Sequence, residues 1–185
     1  MIVEVLGKVR EHYLERYLAS LNEYRAAHTP SAPEVLLELN REGPRPYKLY
    51  RIDMGSNVGG DFKAQEVNPA SHLSFETIRE QLSALNVSLS PLAWNGVELA
   101  APLKAFDPKP LEEWTLRWLD VEDQNKQDAN GLQGVIHSVT EPHFENGVLR
   151  LSVDFGSAPV ASFTELLSLL KAMGATAVEV SSSCI

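Results

Sequence analysis

The chain has 185 residues, 44% of them apolar and 22% charged, which is ordinary for a globular protein and argues against disorder. Acidic residues outnumber basic ones 25 to 16, a net charge of −9, so the field of the chain repels nucleic-acid phosphates and anionic lipid surfaces. The one cysteine, Cys184, leaves no internal disulfide to form, and Ser182 occupies the place a prenylated cysteine would need. Met1-Ile2-Val3-Glu4 lacks the basic segment and apolar run of a signal peptide, and no stretch reaches the roughly 18 apolar residues that cross a bilayer. The expectation is a cytoplasmic protein with no nucleic-acid and no membrane partner.

Val3, Leu6, Val9, Tyr13, Tyr17, Leu21 and Tyr24 recur at three- and four-residue steps and predict an amphipathic helix over residues 3–27. Aromatic rings at that spacing read as core rather than as a ligand box, so Tyr13, Tyr17 and Leu21 are expected to be buried against a sheet or a second subunit. The proline-containing stretch 29–33 stops the helix. Residues 35–39 predict a strand and residues 47–54 a second, with Tyr50, Ile52 and Met54 on one face. A polar loop over 55–71, a helix over 74–85 and a strand over 87–92 follow. Trp94-Asn95-Gly96-Val97 predicts a tight hairpin. Asp107 caps a helix running to Leu119, with two prolines in its first turn. After a polar loop over 120–131, Asn146-Gly147 closes a long hairpin of residues 133–145 and 148–155. A helix over 163–173, ended by Gly174, leads to a last strand over 177–181.

Two segments resemble one another. Asp53-Met54-Gly55-Ser56 aligns with Asp154-Phe155-Gly156-Ser157, each at the end of a predicted strand. The following helices align as well, Leu82 with Leu170 and Ala84 with Ala172. The reading is an α+β fold whose mixed sheet is built from two tandem ββαβ units, residues 34–90 and 133–181. A hairpin, a helix and a polar loop over 91–132 link them, the N-terminal helix of residues 1–28 precedes them, and residues 1–185 form a single compact domain.

The repeated Asp-x-Gly-Ser supplies the ligand-binding candidates: Asp53, Gly55, Ser56, Asp154, Gly156 and Ser157. At the carboxyl end of a strand that enters a helix, amides and helix dipole attract an anion, and glycine lets a ligand approach the backbone. The competing reading is a turn in which each aspartate accepts hydrogen bonds from its own Gly-Ser amides. His137, Glu141, His143 and Glu145 invite a metal reading, but His137 and His143 stand six apart on one predicted strand, roughly 20 Å at the usual rise, and no metal site is expected. The loop over 120–131 places Lys126 where a calcium loop needs a carboxylate. Arg45, Tyr47, Lys48, Tyr50 and Arg51 divide between two strand faces, unlike a base-stacking surface. Neither a glycine-rich nucleotide fingerprint nor a nucleophile elbow is present, so no cofactor is expected and no catalytic residue is named.

Two functions are compatible with this. The preferred one is a non-catalytic soluble protein-binding domain, an inhibitor, immunity or adaptor protein whose acidic surface meets a basic partner. The alternative is a small-molecule-binding protein or enzyme using a cleft between the duplicated halves, faced by Asp53 and Asp154. A homo-oligomer is compatible with either.

Overall fold

The computed structural model describes residues 1–67 and 71–182, apart from the side chain of Val58; Cys184 lies outside the described residues. Among these residues the fold is α+β, with three α-helices and two sheets. α1 (Ile2–Ala27) buries Ile2, Leu6, Val9, Tyr13, Tyr17 and Leu21 along one side. Val3, predicted on that side, is 50% exposed. Ile2 stands a full turn before Leu6 and takes the inward place, which rotates Val3 out by about 100°.

The smaller sheet is an antiparallel meander of β1 (Ser31–Glu38), β2 (Leu49–Val58) and β3 (Asp61–Gln65). β1 admits Pro33 because it is an edge strand, where a missing amide donor need not break a ladder. The larger sheet has seven strands: β4 (Ile78–Leu82), β5 (Leu85–Leu89), β6 (Val97–Pro102), β7 (Ser138–Val139), β8 (His143–Glu145), β9 (Val148–Asp154) and β10 (Ala177–Ser182). Their spatial order is β4-β5-β10-β6-β9-β7, with β8 also on β9. It is mixed, since β10 runs parallel to β5 and antiparallel to β6. Alternate residues of its central strands point inward: Val87 and Leu89, Val97 and Leu99, Leu149, Leu151 and Val153, Val178 and Val180. They share one core with α1, with Leu111 and Trp114 of α2 (Lys109–Trp118), and with Phe163, Leu166 and Leu170 of α3 (Val160–Ala172). Each fully buried Leu or Val contributes about 1.5–3 kcal/mol, so a one-residue slip that turned a strand over would be very costly.

The tandem duplication is not reproduced. Residues 74–85, predicted as the helix of the first unit, lie instead in the antiparallel β4–β5 hairpin and the segment before it. Its two turn residues, Ser83 and Ala84, take positive φ of 48° and 69° without the glycine or asparagine that marks such a turn in a sequence. The unit assigned to residues 34–90 thus has no helix, and its strands divide between two sheets. The second unit keeps its helix and last strand, but β6 stands between β9 and β10. Trp94–Val97 contains a turn but not a hairpin, because β10 inserts between the strands that flank it. The long strand predicted over 133–145 is reduced to β7 and β8. The β8–β9 hairpin does close through Asn146 and Gly147, both at positive φ.

Candidate functional site

Asp53 and Asp154 converge, and they converge on a histidine. His137 lies just before β7, and its backbone joins the two sheets: its amide donates to the Asp154 carbonyl at 2.8 Å, and its carbonyl accepts from the Arg51 amide at 2.7 Å. Its ring is 2% exposed. Nδ1 lies 3.0 Å from Asp53 Oδ1 and 3.9 Å from Asp154 Oδ2, and Nε2 lies 3.1 Å from Glu34 Oε1. Nε2 is hydrogen-bonded to Glu34, and Nδ1 is aimed at Asp53 without a well-aligned hydrogen bond; carboxylates at both nitrogens can only accept, which favours the doubly protonated imidazolium. Burial works to lower its pKa. The charge of Asp154 and the bonds to Asp53 and Glu34 outweigh that and hold it well above the ordinary histidine value.

The groups around the ring come from several elements. Glu34, on β1, is fully buried and takes a positive φ of 53°, an uncommon state for a non-glycine residue. Its Oε2 accepts the Gln133 amide at 2.5 Å. Asp53 Oδ2 accepts the Val67 amide. Tyr17, whose ring meets His137 edge-on at 5.7 Å, turns its hydroxyl toward Asp53 without a well-aligned hydrogen bond. Burial first, and the surrounding carboxylates second, keep Tyr13 and Tyr17 protonated, with pKa well above the phenol value. Asp154 is at the rim, its side chain 28% exposed. Its pKa is pushed up to about 6, chiefly by desolvation; the His137 charge pulls it back down and Asp53 raises it further. Glu66, an exposed residue beyond β3, is pushed up to about 7 by partial desolvation of its carboxyl and by the charge of Asp53.

The other sequence candidates serve the frame. Asp154 Oδ1 accepts the Gly156 amide at 2.8 Å, a turn bond within Asp-x-Gly. Gly156 has φ of +45°, and a Cβ on it would run into the His137 ring. Gly156→Ala is therefore expected to cost about 2–3 kcal/mol from strained backbone and overpacking, read as a lower midpoint in urea. Ser157 Oγ accepts the amides of Gly134 and Val135 at 3.0 and 3.1 Å. Gly55 and Ser56 are not at the cluster. Gly55 lies under the Phe62 ring, where a Cβ would stand 2.8 Å from Cε2, and Ser56 Oγ bonds the Tyr24 hydroxyl at 2.9 Å.

Beside the cluster lies a second buried charge, Arg51. Its Nε donates to the Leu119 carbonyl at 2.7 Å, Nη1 to the Glu34 carbonyl at 2.6 Å and to Gln133 Oε1 at 2.5 Å, and Nη2 to the Asp120 carbonyl at 2.7 Å. Reading by residue type missed His137, Glu34, Arg51 and both tyrosines as members of one site. The available signal was a charged residue set between apolar ones, as in Pro33-Glu34-Val35 and Tyr50-Arg51-Ile52-Asp53.

Chemically, the cluster holds protons. No group of three or more His, Cys, Asp or Glu side chains among the described residues has the geometry to hold a metal ion. His143, in the same metal reading, pairs with Glu145 at 3.2 Å on exposed β8. No helix among the described residues is long and apolar enough to cross a membrane. Compared with protein-family models, with curated proteins and with solved structures, the chain matches none of them.

Proposed function

We infer that this chain is a binding domain that acts through contact with another protein, in the manner of an inhibitor, immunity or adaptor protein, in the cytoplasm. The observation that carries the reading is the face of the seven-stranded sheet turned away from the helices. Arg79, Ser88, Glu179, Ala100 and Arg150 form one row across β4, β5, β10, β6 and β9. Neighbouring strands lie about 4.8 Å apart, so the row spans roughly 19 Å, with charged ends and centre and a floor of small side chains. Two hollows of about 300 and 350 Å³ open on it and share Glu179. A broad, shallow, polar surface suits a protein partner better than a small ligand. The row itself carries two arginines and one glutamate, so a basic partner is favoured only by the long-range field of the chain's net charge of −9, which speeds encounter.

The convergence of Asp53 and Asp154 favours a second reading, a small-molecule site or an enzyme. The burial of the histidine between them weighs against it, since a reacting group must be reached. The two readings separate by affinity capture from the native host lysate followed by titration of the captured protein. Ala100→Arg, which fills the floor of the row, is expected to weaken capture by at least about tenfold, or 1.4 kcal/mol, while Asp154→Asn leaves it unchanged. Capture insensitive to Ala100→Arg overturns the face as the contact surface; loss with Asp154→Asn in a folded protein favours the second reading.

A further inference from the structure

The polar junction between the sheets carries more acid than base. Three carboxylates, those of Glu34, Asp53 and Asp154, surround the one imidazolium of His137. Glu66 adds a fourth through Asp53. α1 contributes only the uncharged hydroxyls of Tyr13 and Tyr17. The Arg51 guanidinium faces the carbonyl of Glu34, and its own ion pairs go outward to Asp120 and Asp123 at 4.0 and 3.3 Å. The cluster is also where the sheets are tied together. Glu34 and Asp53 belong to the small sheet and Asp154 to the large one; the His137 backbone is bonded to both sheets, and its ring is bonded to Glu34 and lies 3.9 Å from Asp154.

We propose that this junction is a proton-operated clasp, in which protons held by Asp154 and His137, where the two sheets meet, keep the small sheet against the large one and their loss toward alkaline pH loosens it. Repulsion of Asp154, at the rim, from the buried carboxylates behind it grows when its proton is released, and the imidazolium can offset only part of it. The titrations run in one direction. Asp154 loses its proton near pH 6 when folded and near 3.8 as an ordinary aspartate, so between those values the folded chain holds more protons and stability falls as pH rises. Glu66, folded near 7 against an ordinary 4.5, adds the same sign over the next window, discounted for its exposure. His137, raised well above 6.5, contributes stability that is complete below 6.5 and is lost as pH rises through its folded value.

The test is amide exchange, corrected for intrinsic rates, together with urea unfolding, at about pH 5 and about pH 8. In the wild type, protection of the Arg51 amide, which is bonded to the His137 carbonyl, is expected to drop about tenfold more than that of Leu99 in the β6–β9 ladder. Asp154→Asn keeps an acceptor for the Gly156 amide and should remove most of that difference, and Glu66→Gln part of it. Glu113→Gln, an exposed charge on α2, should leave it intact. The proposal is overturned if Arg51 and Leu99 lose protection in step, or if Asp154→Asn retains the full difference.

Discussion

Arg51→Met is expected to lower the unfolding free energy by about 3–5 kcal/mol, the range for removing one partner of a buried charged network. The side chain is 2% exposed and donates to three backbone carbonyls and to Gln133. Methionine fills much of the volume and supplies no donor, so the carbonyls of Glu34 and Leu119 lose the guanidinium while that of Asp120 keeps only the Asp123 amide. A buried acceptor left unpaired costs about 1–3 kcal/mol, and movement of the 119–123 segment lets water reach some of them, which sets the lower end of the range. The same loop stands on other bonds: the Asp120 carboxylate accepts the amides of Gln124 and Asn125, and Asp120 holds a positive φ of 49°. Arg51→Lys should recover only a small part, since an ammonium cannot reach acceptors spread around a planar fork. Urea unfolding reads both variants. A loss below about 1 kcal/mol for the methionine variant would mean that the network contributes little in solution.

How much of this was legible in the sequence depends on which signal each element carries. α1 was readable because its buried residues repeat every three or four positions, and the β8–β9 turn because Asn146-Gly147 names its own backbone conformation. The β4–β5 hairpin was not. Ser83-Ala84 is ordinary helix composition, and Ile78-Arg79-Glu80-Gln81-Leu82 satisfies a helical spacing as well as an alternating one. Tertiary pairing decided it, with β5 taken up beside β10 from the far end of the chain. The apparent duplication rested on that misread helix and on a four-residue likeness. The likeness is real in the sequence, but the two copies do different things. Asp154 bonds its own turn at Gly156, whereas Asp53 reaches Val67 and the small sheet runs on through Gly55 and Ser56.

The candidate site was half legible. Asp53 and Asp154 were singled out, and both contact the same histidine. Residue type at His137 points only to metal ligation beside His143, which pairs instead with Glu145 on exposed β8. β2 explains why its charges were hard to place. Arg51, Ile52, Asp53 and Met54 are all buried, so the strand is covered on both faces and its alternation does not separate inside from outside. What joins Glu34, Asp53 and His137 is the approach of β1 and β2 to the segment before β7, about a hundred residues along the chain, and no local pattern encodes it.

His137→Leu tests that convergence most directly. Leucine fills the pocket without charge and leaves the carboxylates of Glu34 and Asp53 facing one another in a dry site, with Asp154 at its edge. At about pH 8 the loss should be about 3–5 kcal/mol, because an uncompensated buried charge is far more expensive than the pair it came from. At about pH 5 the loss should shrink by at least about 1.4 kcal/mol, since crowded carboxylates without a cation take up protons and a neutral carboxyl is much cheaper to bury. The variant lacks the alkaline fall that His137's own proton contributes, but it leaves more than one carboxylate to take up a proton; it therefore loses stability more steeply toward alkaline pH than the wild type, the opposite of the flattening expected from Asp154→Asn. His137→Gln should fall between the two, having an amide that donates to one carboxylate but no charge for the other. Urea midpoints for the three proteins at both pH values decide the matter. A leucine variant that loses the same stability at both would show that His137 acts through its volume and its backbone bonds, with no part played by its charge.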